Sequence, residues 1–272
     1  MSKIKYVVAV VLVSYCLLLT ACGKQDKSLE EQLAGTVFSE MNFEIDKENR
    51  EVYETEHYAI QMTDSQWSEG MFYCVLAAWC KDGTKDRLAQ DYASEIGSEQ
   101  NAEEIDYGCE PMITSSVKTY YEDGITYICY SGVYTTIRDD LMFSLYLRQM
   151  NVEPLVIASW KVAPQKVTDE LENIQLQKDN YVVYKQSDGS LLIKENEMRC
   201  HITKLGIYFS DSREFEEKDA VLIDKDGKEQ IVSFRYYSQS GEVEFRGIWP
   251  AKKYVSVQNL KSLRINGRVY EL

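Results

Sequence analysis

Met71-Phe72-Tyr73-Cys74-Val75-Leu76-Ala77-Ala78-Trp79 contains no charged residue and is of strand length. An amphipathic helix would interrupt such a run with polar residues every third or fourth position. An unbroken one of nine residues predicts a central strand covered on both faces. Working outward, Leu141, Phe143, Leu145 and Leu147 alternate with Met142, Ser144, Tyr146 and Arg148, as in a strand with one buried face. Tyr58 with Ile60, Ile125 to Thr135 and Leu155 to Val162 add further strands. Pro164 closes the last of these because it has no N–H to give a sheet ladder, and it marks a domain boundary. Leu88, Tyr92 and Ile96 fall four apart within Lys85 to Ile96, which predicts a short helical insertion. The acidic stretch Glu99 to Glu110 reads as a surface loop.

Beyond the boundary the turn residues carry the reading. Asp188-Gly189, Asp226-Gly227, Ser240-Gly241 and Asn266-Gly267 each stand between strand-like runs, and glycine there supplies the positive φ that tight hairpins need. Leu205, Ile207 and Phe209 alternate with Lys204 and Tyr208, and Val243, Phe245 and Trp249 alternate with Glu244 and Arg246. Short alternating strands separated by recurrent turns predict an antiparallel sandwich, with a closed barrel as the alternative.

At the other end of the chain, Lys3 and Lys5 precede an apolar run from Tyr6 to Leu19 and then Leu19-Thr20-Ala21-Cys22-Gly23. The run is shorter than the roughly 20 residues of a comfortable transmembrane helix. The segment resembles a bacterial lipoprotein signal peptide, which implies cleavage between Ala21 and Cys22 and attachment of lipid to the Cys22 thiol. Gly23 to Ser28 then reads as a tether. Leu29, Leu33, Val37 and Met41 recur every four residues, compatible with a short helix, but the stretch up to residue 49 is read as an irregular lead-in.

The precursor of 272 residues has 44 acidic and 30 basic side chains, a charge of −14. Removing the first 21 residues leaves 251, and the loss of Lys3 and Lys5 takes the charge to −16. With no basic patch, nucleic acid is excluded as a partner. The acidic chain is also repelled by anionic membrane surfaces, so acyl chains on Cys22 must hold it to the membrane. Of seven cysteines, Cys16 leaves with the signal and Cys22 is lipidated. The remaining five, Cys74, Cys80, Cys109, Cys129 and Cys200, show no zinc-type spacing and read as small buried hydrophobes.

Catalytic motifs are missing: there is no Gly-x-Ser-x-Gly, phosphate-binding glycine loop or His-Glu-x-x-His. His57 and His201 sit alone in strand-like segments, and Cys200 cannot meet His201 because adjacent strand residues point to opposite faces. The many carboxylates read as a solvated surface, and Asp224-Lys225-Asp226-Gly227 lacks the later ligands of a calcium loop. No cofactor and no metal is therefore expected. Tyrosine is over-used, 20 against 8 phenylalanines. Tyr127, Tyr130, Tyr134, Tyr236 and Tyr237 form the candidate binding surface, since the ring offers an apolar face and a hydroxyl to a protein or a sugar.

Tyr58 to Ser65, the run at 71–79 and Ala158-Ser159-Trp160-Lys161-Val162 resemble the first sandwich domain in the ectodomains of Gram-positive membrane-bound anti-sigma factors and related proteins of unknown function. Ile202 to Tyr208, Val221 to Glu229 and Val255 to Leu272 resemble their second, immunoglobulin-like domain. The resemblance implies a mainly β chain: signal peptide 1–21, tether and lead-in 22–49, immunoglobulin-like β-sandwich 50–163, linker 164–174 and a second sandwich 175–272. A lipobox replaces the sigma-binding segment and membrane span, so anti-sigma activity does not carry over. The expected function is a non-enzymatic lipid-anchored protein on the extracytoplasmic face of the bacterial membrane, engaged in protein interaction or envelope sensing. Its partner is an unidentified envelope protein, with a glycan-binding module as the alternative.

Overall fold

A computed structural model describes residues 27–46, 51–85, 92–98, 114–133, 141–147, 155–162, 173–211, 219–233, 236–240 and 244–272. The protein is mainly β, with several antiparallel sheets and almost no helix. Contacts divide the chain into two units, residues 1–34 and 35–272. In the first, α1 (Leu29–Leu33) is capped by Ser28, whose hydroxyl oxygen accepts the Glu31 N–H at 3.2 Å. The four-residue apolar spacing therefore yields only this one short helix. Gly35 follows with φ 75°, and Val37–Glu40 is a 3-10 turn.

Every strand among the described residues lies in 35–272. The earlier ones are β1 (Val52–Glu54), β2 (Tyr58–Ser68), β3 (Met71–Cys80), β4 (Tyr92–Ser98), β5 (Thr114–Glu122), β6 (Ile125–Val133), β7 (Leu141–Leu147) and β8 (Leu155–Lys161). They form one sheet ordered β1-β2-β3-β6-β5 and another ordered β4-β7-β8. The charge-free run is β3, hydrogen-bonded to β2 on one side and β6 on the other, as expected for a central strand. Its even-numbered residues Phe72, Cys74, Leu76 and Ala78 enter a core with Tyr130, Phe143, Leu145 and Trp160. Met71, Tyr73, Val75 and Ala77 point the other way and are equally buried.

Part of that second cover comes from the lead-in. Phe38 meets Tyr73 edge to face at 5.8 Å, and Phe43 meets Tyr127 likewise at 5.2 Å. The segment is tied down by polar contacts as well. Gln61 is buried and behaves like a strand partner: its carbonyl accepts the Asp46 N–H and its amide donates to the Asp46 carbonyl, both at 3.0 Å. The Thr63 hydroxyl donates to the Asn42 carbonyl at 2.9 Å, and the Asn42 N–H donates to the Asp64 carboxylate at 3.0 Å.

The helical insertion expected over 85–96 is corrected at its described end, where Tyr92–Ser98 is strand β4, paired with β7 from Tyr92↔Leu147 to Ser98↔Leu141. A spacing of four is even, so Tyr92 and Ile96 share a face of a strand as readily as of a helix. The seven-residue partner β7 decided between them. Leu88 and the acidic stretch after Glu99 lie outside the described residues.

The later strands are β9 (Asn173–Gln177), β10 (Val182–Lys185), β11 (Leu191–Glu195), β12 (Met198–Thr203), β13 (Gly206–Asp211), β14 (Asp219–Asp224), β15 (Glu229–Ser233), β16 (Tyr236–Ser240), β17 (Glu244–Pro250), β18 (Leu260–Ile265) and β19 (Arg268–Glu271). One sheet runs β16-β17-β13-β12-β11-β10-β9 and a second β15-β14-β18-β19. A core of its own, including Ile193, Cys200, Phe209, Leu222, Trp249, Leu263 and Tyr270, involves both sheets. The turn at Gly189 (φ 82°) joins β10 to β11. Gly227 (79°) and Asn266-Gly267 (51° and 71°) close the hairpins β14–β15 and β18–β19. The fourth hairpin, β16–β17, is present by pairing, and its Gly241 falls outside the described residues.

Candidate functional site

Register sets the floor of a cleft. Across β5, β6 and β3, Ser116 stands opposite Ser131 and Ser131 opposite Tyr73, while Lys118 stands opposite Cys129. Directly paired residues share a face, so these side chains all project from the side away from the Phe72 and Tyr130 core. Gly35 to Phe38 forms one wall and Pro250 to Lys252 closes another, around a volume of about 610 Å³. The walls are joined by a hydrogen bond from the Val37 N–H to the Lys252 carbonyl at 3.0 Å. The Tyr73 hydroxyl adds a 3.4 Å contact to the Ala251 carbonyl.

The lining is chemically one-sided. It carries two lysines, Lys118 and Lys252, the hydroxyls of Thr36, Ser116 and Ser131, and apolar surface from Phe38, Tyr73 and Val133. Among the described residues it includes no aspartate, glutamate or histidine. The one thiol, Cys129, is a poor nucleophile, because burial pushes its pKa up to about 12 against the opposing pull of the Lys118 charge.

A second polar cluster differs from the cleft in its chemistry. The β2–β3 turn carries Glu69 and Gly70 at φ 45° and 79°, an uncommon conformation for glutamate. That turn delivers the Glu69 carboxylate to His201 on β12, with Oε1 3.0 Å from Nδ1. His201 Nε2 is in turn 2.7 Å from the Ser190 hydroxyl. A carboxylate only accepts, so Nδ1 holds the proton; on the neutral ring Nε2 then accepts from Ser190. The order acid, imidazole, hydroxyl is that of a nucleophilic triad. Ser190 and His201 are only 4% and 1% exposed, however, and the array serves here as a tie between β2–β3 and β11–β12. Nearby, the Tyr254 hydroxyl donates to the Gln66 side chain and its ring lies 5.2 Å from the Lys204 ammonium.

Tyr127 and Tyr130 were expected at a binding surface, but they are 8% and 0% exposed. Tyr130 is in the first core, stacked near Phe143 at 5.0 Å, and Tyr127 lies under Phe43. Neither ring is presented to a partner. Tyr236 and Tyr237 lie on β16 with side chains outside the described set, as do Tyr134, Ala21 and Cys22 in full. Cys74, Cys129 and Cys200 are free thiols, and all three, like Cys80, are buried; Cys109 lies outside the described residues. Cys74 stands opposite Tyr130 while Cys129 stands opposite Val75, so the two thiols leave opposite faces of the sheet. The cleft itself has no motif in the sequence. Only the pairing of β5 with β6 brings Ser116 and Lys118 beside Ser131.

Fold and cleft together define an antiparallel β protein with a polar, cation-bearing recess on the outer face of one sheet. The chain matches no family model, no curated protein and no solved structure.

Proposed function

We propose that the protein is a non-enzymatic binding or sensing module, lipid-anchored through Cys22 on the extracytoplasmic face of a bacterial membrane. In this reading its strands make up two immunoglobulin-like sandwiches, as the resemblance to anti-sigma ectodomains implies. The observation that carries the reading is the cleft over β3, β6 and β5. It is large enough for a small ligand or a partner's side chains, whose usual sites span roughly 300 to 1,000 Å³. Among the described residues its lining has no carboxylate or imidazole, and its thiol is kept protonated by burial. The tyrosine surface loses support for a protein and for a glycan alike, since Tyr127 and Tyr130 are buried.

A photo-crosslinking residue at Ser116, in the anchored protein on living cells, tests this. One specific ligand or partner should be captured at Ser116 and lost when the cleft is filled by Ser131→Trp. Capture that ignores Ser131→Trp would refute the cleft as the contact. Anchoring has its own test: Cys22→Ala should release or mislocalise the protein, and unchanged membrane retention would refute it.

A further inference from the structure

Resting on that reading of the cleft, we propose that its occupant is a small organic anion, held by its oxyanion group between Lys118 and Lys252. Acidic residues outnumber basic ones 44 to 30 in the chain, yet among the described residues the cleft lining has two lysines and no carboxylate. Neither ammonium forms an ion pair among the described residues. Elsewhere the chain does pair exposed lysines, Lys81 with Glu54 at 2.8 Å and Lys178 with Glu271 at 2.5 Å.

The two lysines come from separate elements, Lys118 from β5 and Lys252 from the segment after β17. Their shared recess therefore depends on the tertiary fold and is not a charge run. Ser116 and Ser131, side by side on the floor, offer hydroxyl donors of the kind that complete the coordination of a carboxylate, sulfonate or phosphate. Phe38, Tyr73 and Val133 supply apolar surface for the rest of the molecule. The occupant is a solute and not a lipid headgroup, because the acidic chain is repelled by an anionic bilayer.

Dansylate and dansylamide share one fluorescent body and differ in that only the first is charged. Both are titrated against the lipidated full chain in phosphatidylcholine nanodiscs, with empty discs subtracted. Dansylate should bind one to one and about a hundredfold more tightly than dansylamide, the difference expected of two charge-assisted contacts of about tenfold each. Lys118→Gln and Lys252→Gln should each weaken dansylate about tenfold and leave dansylamide within about twofold. Arginine at either position should restore dansylate, and Lys161→Gln, outside the cleft, should change neither probe. Ser131→Trp should abolish both. Equal affinities for the two probes, or dansylate binding indifferent to both lysines, would overturn the proposal. If equal affinities are found and Ser131→Trp still removes both probes, the anion is refuted while the cleft reading stands. Binding that survives Ser131→Trp refutes both.

Discussion

Two sheet faces in this protein carry polar side chains on the side away from their cores, and they are resolved in opposite ways. On the β12 face, His201 and Ser190 are sealed, and their hydrogen-bonding capacity is met by each other and by Glu69. On the β5–β6 face, Ser116, Lys118 and Ser131 line a recess whose cations meet no anion among the described residues. Burying polar groups without partners is costly. A face that is closed must therefore be internally satisfied, whereas one whose donors stay open to water can receive a ligand. The difference comes from the cover: the β2–β3 turn brings its own carboxylate to the first face, and the lead-in brings mainly Val37 and Phe38 to the second.

The largest effect should come from the joint that serves both faces. A Cβ on Gly206 would sit 2.3 Å from the Trp249 carbonyl oxygen, 2.8 Å from the Met71 sulfur and 3.0 Å from the Ala251 nitrogen, at a backbone φ of 149°. Gly206→Ala is expected to cost about 3 kcal/mol or more in urea unfolding, from overpacking plus backbone strain. A loss under about 1 kcal/mol would mean that β13 can shift relative to Met71 and Trp249.

Next comes the tie. His201→Ala leaves the Ser190 hydroxyl and the part-buried Glu69 carboxylate without their shared partner, and should cost about 2 to 4 kcal/mol. Glu69→Gly removes the same contact but also relieves a positive φ, so it should cost less. A double-mutant cycle with coupling near zero would show that the three groups act independently.

Alkali should separate the faces more gently. Burial raises the Cys129 pKa from 9.0 to about 12, so the folded state keeps a proton that the unfolded state releases near pH 9. The stability tied to this group is complete below pH 9 and is lost as pH rises through about 12, the loss amounting to about 3 kcal/mol by pH 11. Tyr254, also raised to about 12 by burial, adds in the same sense from pH 10 upward. Under native alkaline conditions, iodoacetamide should modify Cys129 at the cleft floor before Cys200, whose burial in the second core pushes its pKa up further. The reverse order would mean that the cleft is closed in solution. The smallest effect is expected at Lys118→Gln, which should change stability by less than about 0.5 kcal/mol because the side chain stands exposed and forms no ion pair among the described residues. A larger loss would give Lys118 a structural task and weaken its assignment to a ligand.

Much of the β architecture was legible beforehand. The uncharged stretch of β3 was readable without tertiary information, because an unbroken apolar run of strand length suits a strand buried on both faces. Three of the four glycine turns in the later half are seen directly, since positive φ is a local requirement. The site was far less legible. Tyr127 and Tyr130 looked suited to a surface because tyrosine tolerates either environment, and only the sheet register put one in the core and the other beneath Phe43. His201 looked solitary because Glu69 is 132 residues away in the chain. The helix expected near Ile96 failed because an even spacing serves both periods.

By itself, then, the sequence determined that the chain is built of strands, where several of its hairpins turn and which residues alternate between faces, all of which follow from steric and hydrophobic preferences over a few neighbouring residues. Tertiary structure alone decided what covers each face. That outcome depends on which distant segment arrives with which polar groups, and it closed one face over His201 and left the other as a cleft between Lys118 and Lys252.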